Sequence, residues 1–559
     1  MLRTKPQVQE SRPFAEPEPG STAPDILHPE PLCRIDVEQT KLAIALAFAS
    51  GDSPGVFSDA LNEAAVAPST WSPESFAKDL FLTDFVSLCF RIKIDGKAFI
   101  TTKPHLVHLL AHPPKDERTV MHRRAILAEL AAQPVLKKEL ERLYTLIARF
   151  RSLLENAGDA AKWDPNRRHL DILAVLKEIF DCTAEGFLGA KSGLARLAEF
   201  GRRVQEREPF QSLADLLRYD ERLATMSLNI QIGADGRVRG FKVVSVHEDE
   251  KNPFVQSPWR RWLAKLELFA RGYTLSEREV MARLVDAVFE GLQDDVVPLV
   301  QLFGEIELYL GALGLAEQAK EAGLSMALPT IVPPGETPAA RALEGLFNPL
   351  LLAHGVRPVP CSINLDRHAA TTLITGPNSG GKTRLLQSLG LTQLLAQSGL
   401  FIPAKSGTIA LVPGLVMSLI EEARSDQAEG RLGTELVRIR ELFERLPPGA
   451  MVILDELCSG TNPSEGEEIF ELVVEVLGRL EPQAFITTHF LLFAARLERE
   501  KAIPDLRFLQ VELGAEQRPT YQFVPGVATT SLAGHAAARL GVTRDELLSL
   551  VERNKSAAR

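Results

Sequence analysis

The sequence predicts a multidomain chain in which a mostly α-helical region is followed by an α/β domain of the P-loop kind, and three observations carry that prediction. Gly376-Pro377-Asn378-Ser379-Gly380-Gly381-Lys382-Thr383 spells GxxxxGK[ST] in full. Met451-Val452-Ile453-Leu454 is a buried-strand pattern that ends in the acidic pair Asp455-Glu456. From about Asp36 to Gly323 apolar residues recur at helical spacing.

The chain has 559 residues, and single cores stop growing at roughly 250 to 300 residues, so two or more domains are expected. A formal charge of -10 argues against a surface that is basic all over but leaves room for a local basic stripe. Cys33, Cys89, Cys182, Cys361 and Cys458 show no CxxC pair, so neither a disulfide framework nor a zinc site is indicated, and a reducing cytoplasm is the expected compartment. No apolar run reaches about 18 residues and the N-terminus lacks a charged-then-apolar signal pattern, so no membrane partner is expected.

Taken in order, residues 1–34 are rich in Pro and Glu and read as a disordered tail. Residues 35–328 read as a helical core, with segments beginning at Leu106, Asp116 and Val135. Within it, residues 227–247 form a β-hairpin about Asp235-Gly236, either a small clamp element or a β excursion packed on the helices. Ser276-Glu277-Arg278-Glu279 is a capping box that opens a segment running toward Gly323. Unbroken, it spans on the order of 60 to 70 Å at 1.5 Å per residue, as a lever or as a long core helix. Residues 329–342 read as a proline-rich linker, 343–520 as the α/β domain and 521–559 as a C-terminal tail. Basic clusters stand at Arg149 and Arg151, Arg167-Arg168, Arg202-Arg203 and Trp259-Arg260-Arg261-Trp262. Each is either a solvated helix face or a set of phosphate contacts, the last with aromatics able to stack.

The glycine loop sits where its chemistry needs it, between the β-rich stretch Thr371 to Thr375 and the leucines of Thr383 to Gln397. Its glycines let successive amide N–H groups and a helix N-terminus face phosphate oxygens, while Lys382 adds a point charge and Thr383 a hydroxyl for Mg²⁺. Together these residues, Gly376 to Thr383, are the candidate ATP-binding set. Asp455 is the second candidate Mg²⁺ residue, acting through the ion's water shell, and Glu456 the candidate general base or water-orienting residue. A further apolar strand, Ala484-Phe485-Ile486, ends in Thr487-Thr488-His489.

The residues GPNxGGKT at 376–383, Asp455-Glu456 followed by Gly460-Thr461-Asn462-Pro463-Ser464-Glu465-Gly466, and the terminal Thr488-His489 resemble the ATPase domain of the MutS family, a branch of the ABC-type ATPases. Ile402-Pro403-Ala404, Gly430-Arg431 and Gly433-Thr434 fit in the same order, and the tail from Tyr521 looks like that family's helix-turn-helix dimerisation element. The likeness covers roughly residues 340 to 553, and the GTNPSEG loop is closer to the paralogues outside classical mismatch repair.

The resemblance implies a dimeric head that hydrolyses ATP with Mg²⁺ and is coupled to clamping of DNA in repair or recombination. In that reading Glu456, His489 and Lys382 carry the catalysis, and the partner subunit contributes its segment near Gly433-Thr434. Leu432 sits beside an apparent one-residue shift there, a departure from the family. A second reading makes the protein a nucleotide-gated switch that grips a protein partner. A small-molecule kinase fits the acidic pair and terminal His less well. Phe14-Ala15-Glu16 spells the FxE of mismatch readers, but the same spacing recurs at Phe303-Gly304-Glu305, so the tripeptide is uninformative. Room for a mismatch-reading domain and a connector before the helical core is not expected, nor a nuclease-like domain after Leu550. No aromatic that could stack on adenine precedes the loop, where Pro358-Val359-Pro360 stands.

Overall fold

The computed structural model describes residues 23–51, 53–156, 165–222, 225–232, 238–247, 277–332, 341–377, 379–419, 431–458, 462–529 and 542–557. The chain is multidomain and divides into two compact units, Met1–Ala65 with Val135–Glu305 and Val66–Pro134 with Ile306–Arg559. Two hairpins accompany the helices: β1 (Ile92–Ile94) with β2 (Lys97–Phe99) in the second unit, and β3 (Thr225–Ile232) with β4 (Val238–His247) in the first. The hairpin at 227–247 therefore has its strands, while its turn, Asp235-Gly236, lies outside the described residues.

In the first unit, local chemistry sets the helix ends and apolar spacing sets the faces. Asp36 caps Val37–Ser50 by accepting from Gln39 N, and Gly51 closes the helix at φ 70°. Pro134–Glu155 buries Leu136, Leu140, Leu143, Ile147, Phe150 and Leu154, one stripe at helical spacing. The basic clusters divide when their side chains are followed. The Arg168 guanidinium is buried and donates to the carbonyls of Ala47, Phe48, Leu153 and Leu154 at the ends of two helices, where carbonyls run short of intrahelical donors. Arg151 is bonded to Glu155 and Ser58 and lies over the rings of Phe57 and Phe303. Arg149 and Arg167 stay on the surface beside Glu178 and Asp171. The segment Trp259–Trp262 lies outside the described residues.

Residues 23–34 correct the tail assigned by composition, of which 1–22 lie outside the described residues. Ile26 and Leu27 are buried, and the backbone of this strap is held by side chains from other elements. Ile26 N donates to Glu305 Oε2 at 2.7 Å, Arg34 N to Gln301 Oε1 at 2.6 Å, and Arg196 to the carbonyls of Asp25, His28 and Pro29. Burial alone would raise the Asp25 carboxyl, but the His28 ring and Arg34 guanidinium beside it hold it below its ordinary value. Glu305, fully enclosed and near Asp25, is pushed well above the usual carboxylate range. Prolines deny this strap regular structure, which is why composition reads it as tail. Its backbone is satisfied by side chains instead.

The long helix is continuous from Glu277 to Glu321, with Pro298 inside it, while Ser276 of the capping box lies outside the described residues. Residues up to Glu305 belong to the first unit and those from Ile306 to the second. By length and apolar composition Ala282–Glu321 would suffice to cross a membrane, yet its most apolar stretch is almost wholly buried inside the protein. Glu305 and Glu307 interrupt the apolar run in the sequence, and the fold gives each a backbone donor, Ile26 N and Thr102 N. Phe303 stacks on Tyr144 at 4.9 Å and meets Phe57 edge-on. Phe303-Gly304-Glu305 is thus a packing and anchoring element, and Phe14-Ala15-Glu16 lies outside the described residues.

The second unit holds two larger sheets. β5 (Thr330–Val332), β6 (Arg341–Leu346), β7 (Cys361–Leu365) and β9 (Ser406–Ala410) make a mixed sheet in the order β5-β9-β6-β7. The other comprises β8 (Ala370–Thr375), β10 (Leu415–Ser418), β11 (Met451–Leu454), β12 (Gln483–Thr487), β13 (Leu506–Leu513) and β14 (Pro519–Pro525), ordered β10-β11-β12-β8-β13-β14. It is parallel except for β14. Every residue of β8, β11 and β12 is buried, as strands covered on both faces require. Leu373, Val452 and Ile486 pack with Phe470 and Val474 of helix Pro463–Gly478 and with Phe493 of helix Leu491–Glu500. Between the two sheets Arg341 is fully buried. It donates to Gln393 Oε1 at 2.8 Å and to Gln483 Oε1, and burial drives its guanidinium down to about 9.

Three boundaries shift. Residues 329–342 are not only a linker, since β5 and the start of β6 are paired strands; strands this short leave no period in a proline-rich sequence. The α/β sheet extends past 520 through β14. Residues 66–134, assigned to the helical core, cluster with the α/β domain instead. Helix Lys382–Gln397 is buried on nearly every side, so one sheet cannot cover it. Leu80 meets it at Gly390, Gln397 donates to Pro114 O, and Gly399 lies against Val120 O. Trp71 Nε1 also reaches Val412 O, and Leu419 N reaches Asp79.

Candidate functional site

The carboxyl ends of β8, β12 and β11 gather the chemistry at one edge of the parallel sheet, the edge where ligands sit in open α/β folds. β8 leads into Gly376, whose φ of 136° only glycine adopts without strain. A Cβ there, or at Gly380, would come within 2.8 Å of the Val511 side chain. Gly381, at φ 85°, is the N-cap of helix Lys382–Gln397, so the first-turn amides of that helix face the loop without intrahelical partners. Lys382 is buried, and its Nζ donates to the carbonyls of Gly376 at 2.9 Å and Pro377 at 3.1 Å. Burial lowers its ammonium below the ordinary lysine value, while the charges of Glu456 and Asp455 pull the other way. Ser379 is exposed, and Asn378 lies outside the described residues.

β12 lies between β8 and β11, so the end of β12 stands between the loop and the acidic pair. Thr383 Oγ1 donates to Asp455 Oδ2 at 2.6 Å. Thr487 Oγ1 donates to the other oxygen, Asp455 Oδ1, and accepts from Glu456 N at 2.8 Å. Glu456 and Cys458 both have positive φ, 52° and 61°, a sharp turn that carries the chain off the strand directly after Asp455. Thr488 N donates to Ile374 O, which ties the end of β12 to β8. His489 follows, exposed, with its ring 4.5 Å from that of Phe490.

The structure therefore brings Lys382, Thr383, Asp455 and Glu456 to one edge of the sheet, and puts His489 at the same edge. Gly433 lies in helix Arg431–Arg445, while Gly430 and 459–461 are outside the described residues, and nothing is described of the Thr434 side chain. Two residues escaped the sequence reading. Thr487 was quoted only as part of a strand end. Tyr521, on β14 at φ 61°, has its ring 3.2 Å from where a Cβ on Gly381 would lie. An aromatic does stand at the loop, supplied from downstream, and only the order β8-β13-β14 reveals it.

These residues fit a nucleotide with its magnesium. The loop is built where side chains would intrude, helix amides and an ammonium face it, and the hydroxyl of Thr383 and the carboxylate of Asp455 are the hard oxygen donors that Mg²⁺ takes.

The family model for MutS domain V matches residues 372–555. Among curated proteins the chain is similar to "Endonuclease MutS2" of Thermus thermophilus, 32% identical over 287 residues, covering 51% of this chain and 36% of that protein. It is also similar to "Endonuclease MutS2" of Thermomicrobium roseum, 26% identical over 339 residues, covering 59% of this chain and 40% of that protein. A third, of Clostridium tetani, is 34% identical over 190 residues, covering 34% and 24%. The chain thus spans well under half the length of these relatives. The matched residues, 372–555, contain the loop helix, the acidic pair and the strand end at His489, so this part of the chain is similar to MutS domain V, and the curated proteins it resembles are MutS2 proteins.

Proposed function

We propose that the protein is an ATP hydrolase whose nucleotide cycle is coupled to the clamping of DNA. The observation that carries the enzymatic part is the lattice Thr383–Asp455–Thr487–Glu456 beside the glycine loop. Lys382 and the amides of the loop and helix N-terminus would hold the β and γ phosphates, and Tyr521, beside Gly381, would offer its ring to the nucleotide. Thr383 and Asp455 would hold Mg²⁺, which when bound would neutralise phosphate charge. Glu456 orients the attacking water and accepts its proton, and His489 contacts the γ-phosphate or that water. Positioning and charge stabilisation do nearly all of this chemistry.

The DNA part is supported by the match of residues 372–555 to MutS domain V and by the likeness to MutS2 proteins. The head works as a dimer in this reading, with the segment at Gly433-Thr434 facing the partner's nucleotide. Helix Arg544–Ala557, with Leu547, Leu548, Leu550 and Val551 exposed, supports a helix-turn-helix tail that pairs two copies. The long helix, continuous across the residues of both units, supports a lever. The endonuclease in the relatives' name is theirs and is not carried over, because the matched part is two fifths of those proteins or less. A nucleotide-gated grip on a protein partner is the second reading, supported by the inward turn of Arg151 and Arg168 and the pairing of Arg149 and Arg167 with acids.

The test is steady-state ATP hydrolysis at fixed low salt, with duplex, single-stranded and branched DNA. A several-fold change with one DNA class, fading as salt rises, supports the DNA reading. Hydrolysis indifferent to every DNA moves the account to the protein partner.

A further inference from the structure

The hydroxyl of Thr487 occupies a singular place. It has one proton and gives it to Asp455 Oδ1, and a lone pair of the same oxygen takes the N–H of Glu456 at 2.8 Å. Thr383 donates to the remaining oxygen of Asp455 at 2.6 Å. The carboxylate is therefore held on both sides, from the loop helix and from β12, and cannot turn without breaking a bond to one of them. Glu456 is the residue at which the backbone enters positive φ, 52°, a conformation that non-glycine residues rarely adopt. The bond from its N–H to Thr487 pins that turn, and the direction in which the Glu456 side chain leaves the sheet follows from it. Thr487 itself is fully buried at the end of β12, where a β-branched side chain has few rotamers, so its oxygen is fixed in turn.

We propose that Thr487 is a positioning residue that sets the magnesium carboxylate and the general base as one unit, so that the position of one fixes the position of the other. The assignment rests on the ATP hydrolase reading above. It does not act by packing alone: valine has the same shape but neither gives a proton to Asp455 nor accepts one from Glu456. Serine keeps both bonds and loses only the methyl group.

The experiment compares wild type, Thr487→Val, Thr487→Ser and Glu456→Gln for ATP hydrolysis over a Mg²⁺ titration, with thermal melts alongside. Thr487→Val is expected to lose about 10- to 100-fold in kcat, the scale of a small misplacement of catalytic groups. Its KM for ATP should stay within about 3-fold, since phosphate binding is left to the loop. Its half-activating Mg²⁺ should rise several-fold, and Thr487→Ser should restore both quantities to within about 5-fold of wild type. A valine variant with wild-type kcat and Mg²⁺ dependence overturns the proposal, as does a serine variant no better than valine. Should valine prevent folding, Thr487→Ala, which lacks both hydroxyl and bulk, carries the same comparison with serine. A wild type that does not hydrolyse ATP overturns the enzyme reading itself, and hydrolysis that survives Glu456→Gln removes Glu456 as the base; both outcomes are distinct from any behaviour of Thr487.

Discussion

Glu456→Ala lowers kcat for ATP hydrolysis by about 10²-fold or more, the loss expected of a general base removed from its water. ATP still binds, because the groups that hold phosphate are elsewhere: Lys382 with the loop carbonyls at 2.9 and 3.1 Å, and the amides at the start of helix Lys382–Gln397. Asp455 keeps both of its hydroxyl partners, Thr383 and Thr487, since the bond from residue 456 to Thr487 is made by backbone. The variant therefore separates chemistry from binding, with kcat falling and KM nearly unchanged. Lys382→Ala is the contrasting control, which loses binding as well. A Glu456→Ala protein that hydrolyses ATP at the wild-type rate removes Glu456 from the mechanism.

The second large effect is on stability, in a segment that composition would discard. Ile26 is completely buried, and its N–H is bonded to Glu305, itself fully enclosed with a carboxyl pushed well above its ordinary range. Ile26→Asp puts a second acid beside that carboxyl with no cation added. The expected cost is about 3 to 5 kcal/mol, the scale of an uncompensated buried charge. Urea unfolding of the full chain, followed by circular dichroism, reads it as a lower midpoint of the transition that contains the first unit. A change of less than about 0.5 kcal/mol, normal for an exposed site, would show that the strap is not packed.

How much was legible in the chain depends on how local the chemistry is. The strand, loop and helix around Lys382 could be read because the motif is contiguous and its flanks have opposite periodicities, and Asp455-Glu456 because an apolar strand ends in acids. Thr487 could not, because its contacts are created by strand order: β12 lies between β8 and β11, and no property of a threonine in sequence announces that Asp455 and Glu456, just past β11, meet its hydroxyl. Tyr521 was hidden for the same reason. The strap at 23–34 misled because its backbone is satisfied by Glu305, Gln301 and Arg196, some of them far along the chain, while proline content is visible locally. Arg168 shows the converse. A basic residue that sequence places in a surface cluster is spent on the carbonyls of two helix ends. The cover given to helix Lys382–Gln397 by residues 66–134 was signalled only by leucines spaced too evenly around that helix to face one sheet.

The central claim, that nucleotide state governs the grip on DNA, is tested most directly by the affinity of one fluorescent branched or duplex DNA for the Glu456→Ala protein with ATP and with ADP, at one fixed salt concentration. Two states that differ in their grip should give dissociation constants at least about 5-fold apart, the low end of ordinary coupling between sites, and DNA should shift the ratio of ATP to ADP affinity by the same factor. Equal affinities in the two nucleotide states would contradict the claim, because a ligand that binds both states equally shifts neither.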